Sequence, residues 1–259
     1  MRTFPPERIV CLTEETVETL YLLGQQDRIV GVSGFAVRPP GVRREKPRVS
    51  AFTSADIPKI IALNPDVVLT FSDLQADIVA ALLKEGLTVV GYNQRDLAGI
   101  MAMIRQLGAL VGCSAQAEEL ASGYELRLES IRESVQGRIR PKVYFEEWDD
   151  PMISGIHWVS ELIDVAGGID VFAGLAGESK AKDRIVQSTD VIAAMPDVII
   201  ASWCGKKVRP EKIMARPGWQ NIPAVAKEHI VEIKSPLILQ PGPAALTDGL
   251  DAIVAALTT

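Results

Sequence analysis

Two histidines, three cysteines and one acidic run are the groups in this sequence that could do covalent or metal chemistry, and their spacing argues against most of it. A Ser-His-Asp or Cys-His relay needs a histidine beside a nucleophile on a sharp strand-to-helix turn. His157 and His229 are the only candidates, and no nucleophile-elbow motif precedes a helix. Neither has a second histidine at helical ligand spacing, so a multi-histidine metal site is excluded by count, although His157 alone could ligate one metal or cofactor. Cys11, Cys113 and Cys204 are odd in number and outside any Cys-x-x-Cys spacing, which indicates neither a disulfide framework nor a zinc knuckle. Cys204 lies near Lys206 and Lys207, which would favour a thiolate; the competing reading is a small core side chain. Glu146, Glu147, Asp149 and Asp150 could approach a divalent cation, but strand alternation sends neighbours to opposite faces, so at most half converge. No Gly-x-Gly-x-x-Gly follows the first strand, and Gly167-Gly168 follow a helix, so the dinucleotide fingerprint is missing.

Binding without catalysis is the chemistry that remains. Three of the four tryptophans, Trp148, Trp158 and Trp203, fall in segments that leave apolar strands, where aromatic surface suits a flat apolar partner. The competing reading has each cap its own core. Trp219, in Arg216-Pro217-Gly218-Trp219, lies away from a strand end and reads as structural. Polar candidates in the same class of loop are Glu14, Arg38, Ser72, Glu146 and Lys234, with Phe35, Phe52 and Phe71 as further aromatic surface.

These side chains must be positioned by alternating strands and helices. Short apolar runs at 9–12, 29–32, 67–70 and 88–92 predict strands of a parallel sheet, with amphipathic helices at about 15–23, 56–63, 75–85 and 96–111. Ser54 is expected to cap the second helix and Gly86 to end the third. From Ser114 to Gln136 the chain has no proline and places Leu120, Tyr124, Leu128 and Ile131 at helical spacing, which predicts one long helix. The alternation then resumes: strands from 142, at 198–201 and at 230–233, and helices at about 158–167, 188–195 and 243–257. The organisation is therefore an N-terminal lobe over 1–112, a connecting helix over 113–140 and a C-terminal lobe over 141–259. An internal repeat supports two similar lobes: Ile60–Phe71 and Val191–Ser202 each read as a helix ended by Pro-Asp and followed at once by a buried strand.

Composition bounds the partners. The chain of 259 residues is 47% hydrophobic and 23% charged, so it folds, and its net charge of −6 disfavours nucleic acid and anionic lipid. The clusters Arg43-Arg44-Lys46-Arg48 and Lys206-Lys207-Arg209 read as solvated faces. No apolar run of about 18 residues is present, and the start passes straight into a strand. A cytoplasmic protein is expected, the alternative being a periplasmic one whose leader lies outside this sequence.

Arg8-Ile9-Val10 with the polar turn Glu14 to Glu18, Gly31-Val32-Ser33 before Pro39-Pro40, Ile60 to Val68, Ser154-Gly155, and above all Val165-Ala166-Gly167-Gly168-Ile169-Asp170-Val171-Phe172 together resemble one known family. This is the group of periplasmic cobalamin-binding receptors of ABC importers, within the helical-backbone metal and siderophore receptors. The resemblance implies two Rossmann-like α/β lobes with mainly parallel sheets joined by one long backbone helix. It also implies a cobalamin-like corrinoid held in the cleft between the lobes, as cargo rather than cofactor, with no catalysis. Family receptors grip the corrin with aromatic residues, and the matching positions are Phe52, Phe71 and either Phe35 or Arg38. The permease-docking glutamates of such receptors correspond to Pro58 and Thr189, with Asp56 and Asp190 close by. An ABC permease is the implied partner and a monomer the implied state. A siderophore or haem receptor, or an enzyme of corrinoid or tetrapyrrole metabolism using Cys204 or Glu146, are the alternatives.

Overall fold

The computed structural model describes residues 4–258. The chain forms two compact units: Met1–Gln94 with Ala98–Tyr124, and Arg95–Leu97 with Glu125–Thr259. The helix Ser114–Val135 runs without a break through the division at Tyr124.

In the first unit β1 (Ile9–Cys11), β2 (Ile29–Ser33), β3 (Arg48–Ser50), β4 (Val67–Phe71) and β5 (Val89–Tyr92) make one parallel sheet in the order β3-β2-β1-β4-β5. Every residue of β1 and β4 is buried. Helices cover both faces of such a sheet, and that is why these strands read as continuous apolar runs instead of alternating ones. The chain leaves β1 toward β2 and β3 on one side, then returns to build β4 and β5 on the other. The switch point therefore lies between the carboxyl ends of β1 and β4, where doubly wound sheets bind ligands.

The second unit repeats this plan with β6 (Lys142–Asp149), β7 (Met152–Ser154), β8 (Ile169–Asp170), β9 (Val198–Ala201) and β10 (Ile230–Glu232). The order is β10-β9-β6-β7, with β8 also paired to β6; the β6–β7 pair is antiparallel and the others parallel. Its core gathers Tyr144, Ile199, Trp203, Ile213, Trp219 and Ile222.

The sequence repeat has a common physical cause. Asn64 and Met195 each end their helix with positive φ, 46° and 49°. Each is followed by Pro-Asp, and each aspartate clasps the entry of the neighbouring strand. The Asp66 carboxylate accepts from the Glu7 and Arg8 amides at 2.9 and 3.0 Å, and Asp197 accepts from the Lys142 amide at 2.8 Å. In return the Asp66 and Asp197 amides donate to the Arg8 and Lys142 carbonyls, both at 2.8 Å.

Two expectations are corrected and three short strands are added. Asp56, not Ser54, caps the Ile57–Ala62 helix, accepting from the Lys59 amide at 3.0 Å. The strands β3, β7 and β8, of two or three residues each, are too short to leave a periodic signal. The last helix is not uniform: a wide π-turn at Ala245–Gly249 precedes Leu250–Leu257. A Cβ on Gly249 would lie 2.3 Å from the Leu237 carbonyl oxygen, so glycine permits the backbone approach there.

Candidate functional site

At the carboxyl edge of the first sheet the β1 strand runs through Leu12 and Thr13 into the helix Glu14–Leu22. Glu14 and Glu15 open that helix, where the amide dipoles favour a carboxylate. Burial acts the other way and is the larger effect: it raises Glu14 from 4.5 to about 7 and Glu15 to about 8, the latter also pushed up by Glu14 and held back by the Thr13 hydroxyl. That hydroxyl donates to Glu15 Oε1 at 2.5 Å. The Oε2 atoms of both glutamates are buried without a hydrogen-bond partner.

The residue that assembles this edge is one the sequence reasoning missed. Gln75 is fully buried; its amide nitrogen donates to the Phe52 carbonyl at 2.8 Å and the Leu12 carbonyl at 3.4 Å, and its oxygen accepts from the Phe71 amide at 3.0 Å. One side chain thus ties together the ends of β1 and β4 and the loop after β3. The signal was the Ser72-x-x-Gln75 spacing, which reads as a helix capping box. Ser72 does cap, accepting from the Leu74 amide at 3.1 Å, but the glutamine turns inward to the strand ends. Ser72 holds φ 67° and ψ 164°, backbone that glycine adopts easily and other residues only under strain.

The aromatic candidates of this unit differ in exposure. Phe35, after β2, is 48% exposed, Phe52 is half-buried, and Phe71 is buried at 5%. Arg38 donates through Nε to Glu18 at 2.8 Å, which anchors the Pro39-Pro40 loop to the helix following β1. Glu14, Phe52, Phe71 and Ser72 therefore lie at or beside the switch point, with Phe35 and Arg38 on the adjacent loop.

The second unit places its candidates otherwise. Glu146 is fully buried and accepts from Arg216 at 2.5 and 3.0 Å, from Trp203 Nε1 at 3.0 Å and from the Tyr144 hydroxyl at 3.1 Å. Both of its oxygens are taken, so the expectation that it meets a ligand, or reacts, is corrected: it is the centre of an internal polar network. Trp203, 1% exposed, belongs to that network and to the core, and Trp158, 3% exposed, donates Nε1 to the Ile238 carbonyl at 2.9 Å. Their expected role as ligand surface is likewise corrected, since each indole needs its N–H satisfied inside the lobe and finds the partner there. Trp219 is fully buried, in keeping with a structural role, and donates to Ser188 Oγ at 2.7 Å.

Trp148 remains partly open. Its Nε1 donates to the Asp150 carbonyl at 2.9 Å. The Lys206 ammonium stands 4.7 Å from its ring centre and 4.9 Å from that of Trp203, while donating to Asp149 at 2.6 Å. Lys234, exposed, follows β10. Three of the four acidic residues of the run are paired within their own lobe: Glu147 with the buried Arg184 at 2.6 Å, Glu146 with Arg216 and Asp149 with Lys206. Among the described residues no group of three or more His, Cys, Asp or Glu side chains is placed to hold a metal ion, and no helix is long and apolar enough to cross a membrane.

This architecture matches solved structures over nearly the whole chain. A periplasmic haem-binding protein from Roseiflexus sp. RS-1 aligns with a TM-score of 0.82 at 25% identity, covering 97% of this chain and 99% of that one. The periplasmic vitamin B12-binding protein of Vibrio cholerae aligns with a TM-score of 0.79 at 24% identity, over 99% and 98% of the two chains, a likeness of fold. In sequence, a vitamin B12-binding protein of Vibrio campbellii is 25% identical over 245 residues, 92% of this chain and 84% of that protein. The extracytoplasmic placement in the names of these periplasmic neighbours and of a substrate-binding lipoprotein of Bacillus subtilis overturns the expected cytoplasmic location. The family model described as periplasmic binding protein matches residues 9–237, and the chain belongs to the periplasmic binding protein family.

Proposed function

We propose that the protein is the corrinoid-binding, non-catalytic component of an ABC importer, a monomer that holds a cobalamin-like macrocycle by contact alone and hands it to a membrane permease. The observation that supports this most strongly is the carboxyl edge of the first sheet. There a buried glutamine ties two strand ends and a loop into one rim, with Phe52 and Phe35 as open aromatic surface and Ser72 and Glu14 as polar groups. A preformed rim lowers the ordering cost of capturing a large flat ligand. The vitamin B12-binding name of the Vibrio campbellii relative, matched over most of both chains, supports the same ligand class. In this reading Arg38 and Phe71 shape the wall on the first unit, and the corrinoid is cargo with no resident cofactor. Permease contact falls near the exposed Asp56 and Asp190, at the starts of the two repeated helices.

The haem-binding Roseiflexus neighbour favours a second reading, a haem receptor on the same rim. One experiment separates them: calorimetric and visible-absorbance titration of the purified protein with cyanocobalamin, haem and a ferric siderophore. Saturable one-to-one binding of cyanocobalamin, weakened at least tenfold by Phe52→Ala, supports the corrinoid reading. Binding of haem alone replaces it with the second, and binding of the siderophore alone overturns both.

A further inference from the structure

Glu14 opens its helix beside the switch point without an ion pair among the described residues. It is 7% exposed, no Lys or Arg is paired with it among the described residues, and one of its oxygens is buried without a partner. Its neighbour Glu15, 1% exposed, leaves a second oxygen in the same condition. Buried polar groups are satisfied in nearly all folded proteins, so two adjacent exceptions at a switch point ask for a partner that arrives from outside. The direction of Glu14 fits this. Helical Cα–Cβ bonds tilt toward the helix N-terminus, and for the first residue of Glu14–Leu22 that end is the strand-end edge.

We propose that Glu14 is a specificity-determining contact that selects a macrocycle rimmed with neutral carboxamides over one rimmed with carboxylates. The inference rests on the corrinoid reading and deepens it. A primary carboxamide carries both a donor and an acceptor, so it pairs with the Glu14 carboxyl whether that group is ionised or protonated. A carboxylate carries only acceptors and a like charge. It is repelled by an ionised Glu14, with Glu15 beside it and neither carboxylate ion-paired among the described residues. Since burial holds Glu14 near 7, the ionised form dominates at pH 8.

The test compares two ligands with the same ring and different rims, dicyanocobinamide and dicyanocobyrinic acid, titrated at pH 8 into the wild-type protein, Glu14→Gln, Glu14→Asp and the remote exposed Glu119→Gln. We expect the wild-type protein to bind the amide-rimmed ligand at least thirtyfold more tightly. Glu14→Gln narrows that ratio about tenfold, whereas Glu14→Asp, which keeps the charge, and Glu119→Gln hold it within threefold. An unchanged ratio in Glu14→Gln, or an equal narrowing in Glu119→Gln, overturns the inference while leaving corrinoid binding intact. Failure of the wild-type protein to bind either ligand removes the underlying reading, and the inference with it.

Discussion

Arg216→Ala puts the buried network of the second unit to the hardest test. The Glu146 carboxylate, with no solvent exposure, loses the only cation among its hydrogen-bond partners here and two of its four hydrogen bonds, keeping those from Trp203 and Tyr144. Breaking a buried ion pair by removing one partner costs about 3–5 kcal/mol, and the two surviving donors place the expected loss near the lower end. Arg216 also stacks over Trp219 at 4.6 Å, a cation–π contact of about 0.5–1 kcal/mol. The sum is about 4 kcal/mol, which for a unit of this size lowers Tm by roughly 10–15 °C. The four tryptophans, at 148, 158, 203 and 219, all lie in the second unit, so intrinsic fluorescence in a urea series reads that unit selectively. The paired replacement Glu146→Gln with Arg216→Met removes both charges while the new amide can still accept from Trp203 and bond the Tyr144 hydroxyl, and it is expected to recover at least about half of the loss. The reasoning is refuted if Arg216→Ala costs less than about 1 kcal/mol, or if the paired variant is as unstable as the single one.

The other predictions concern the first unit and two tryptophans of the second, one half-buried and one buried. Glu15 titrates near 8 in the folded protein against about 4.5 unfolded, so its folded form prefers the proton: the stability it permits is full below pH 4.5 and is lost as pH rises toward 8. Glu15→Gln should therefore raise Tm at pH 8 and leave it nearly unchanged at pH 4.5; equal effects at both values, followed by calorimetry, would show that the carboxyl is not buried as described. Gln75→Leu leaves the Phe71 amide and the Phe52 and Leu12 carbonyls without their partner, at about 1–3 kcal/mol for each group that stays buried, and should speed amide exchange at Phe71. Trp148→Ala should lower ligand affinity with a small stability change, whereas Trp203→Ala should cost about 3–5 kcal/mol; denaturation and titration of both variants check the contrast.

The alternation of apolar runs with helical periods, the long proline-free helix and the Pro-Asp repeat were legible because each is a local pattern. Period and breaker residues act within a few positions, and Asn64-Pro65-Asp66 and Met195-Pro196-Asp197 carry the same conformation wherever they fold. The parallel character of the first sheet was legible too, since strands buried on both faces must be largely apolar, as β1 is and as β4 is but for Thr70. What stayed hidden depends on partners distant in the chain. Trp148, Trp158 and Trp203 look alike as residues leaving strands, yet Ile238, 80 positions away, satisfies Trp158, and Glu146, 57 positions away, satisfies Trp203. Glu146 itself read as a polar group at a strand end until Arg216 was placed against it. Gln75 drew no attention in the sequence, because nothing local shows that two strand ends and a loop converge on it. Residue type sets what a side chain can bond and sequence period sets which element carries it, but whether a polar group faces a ligand or an internal partner is decided only when the sheet order brings distant strands side by side.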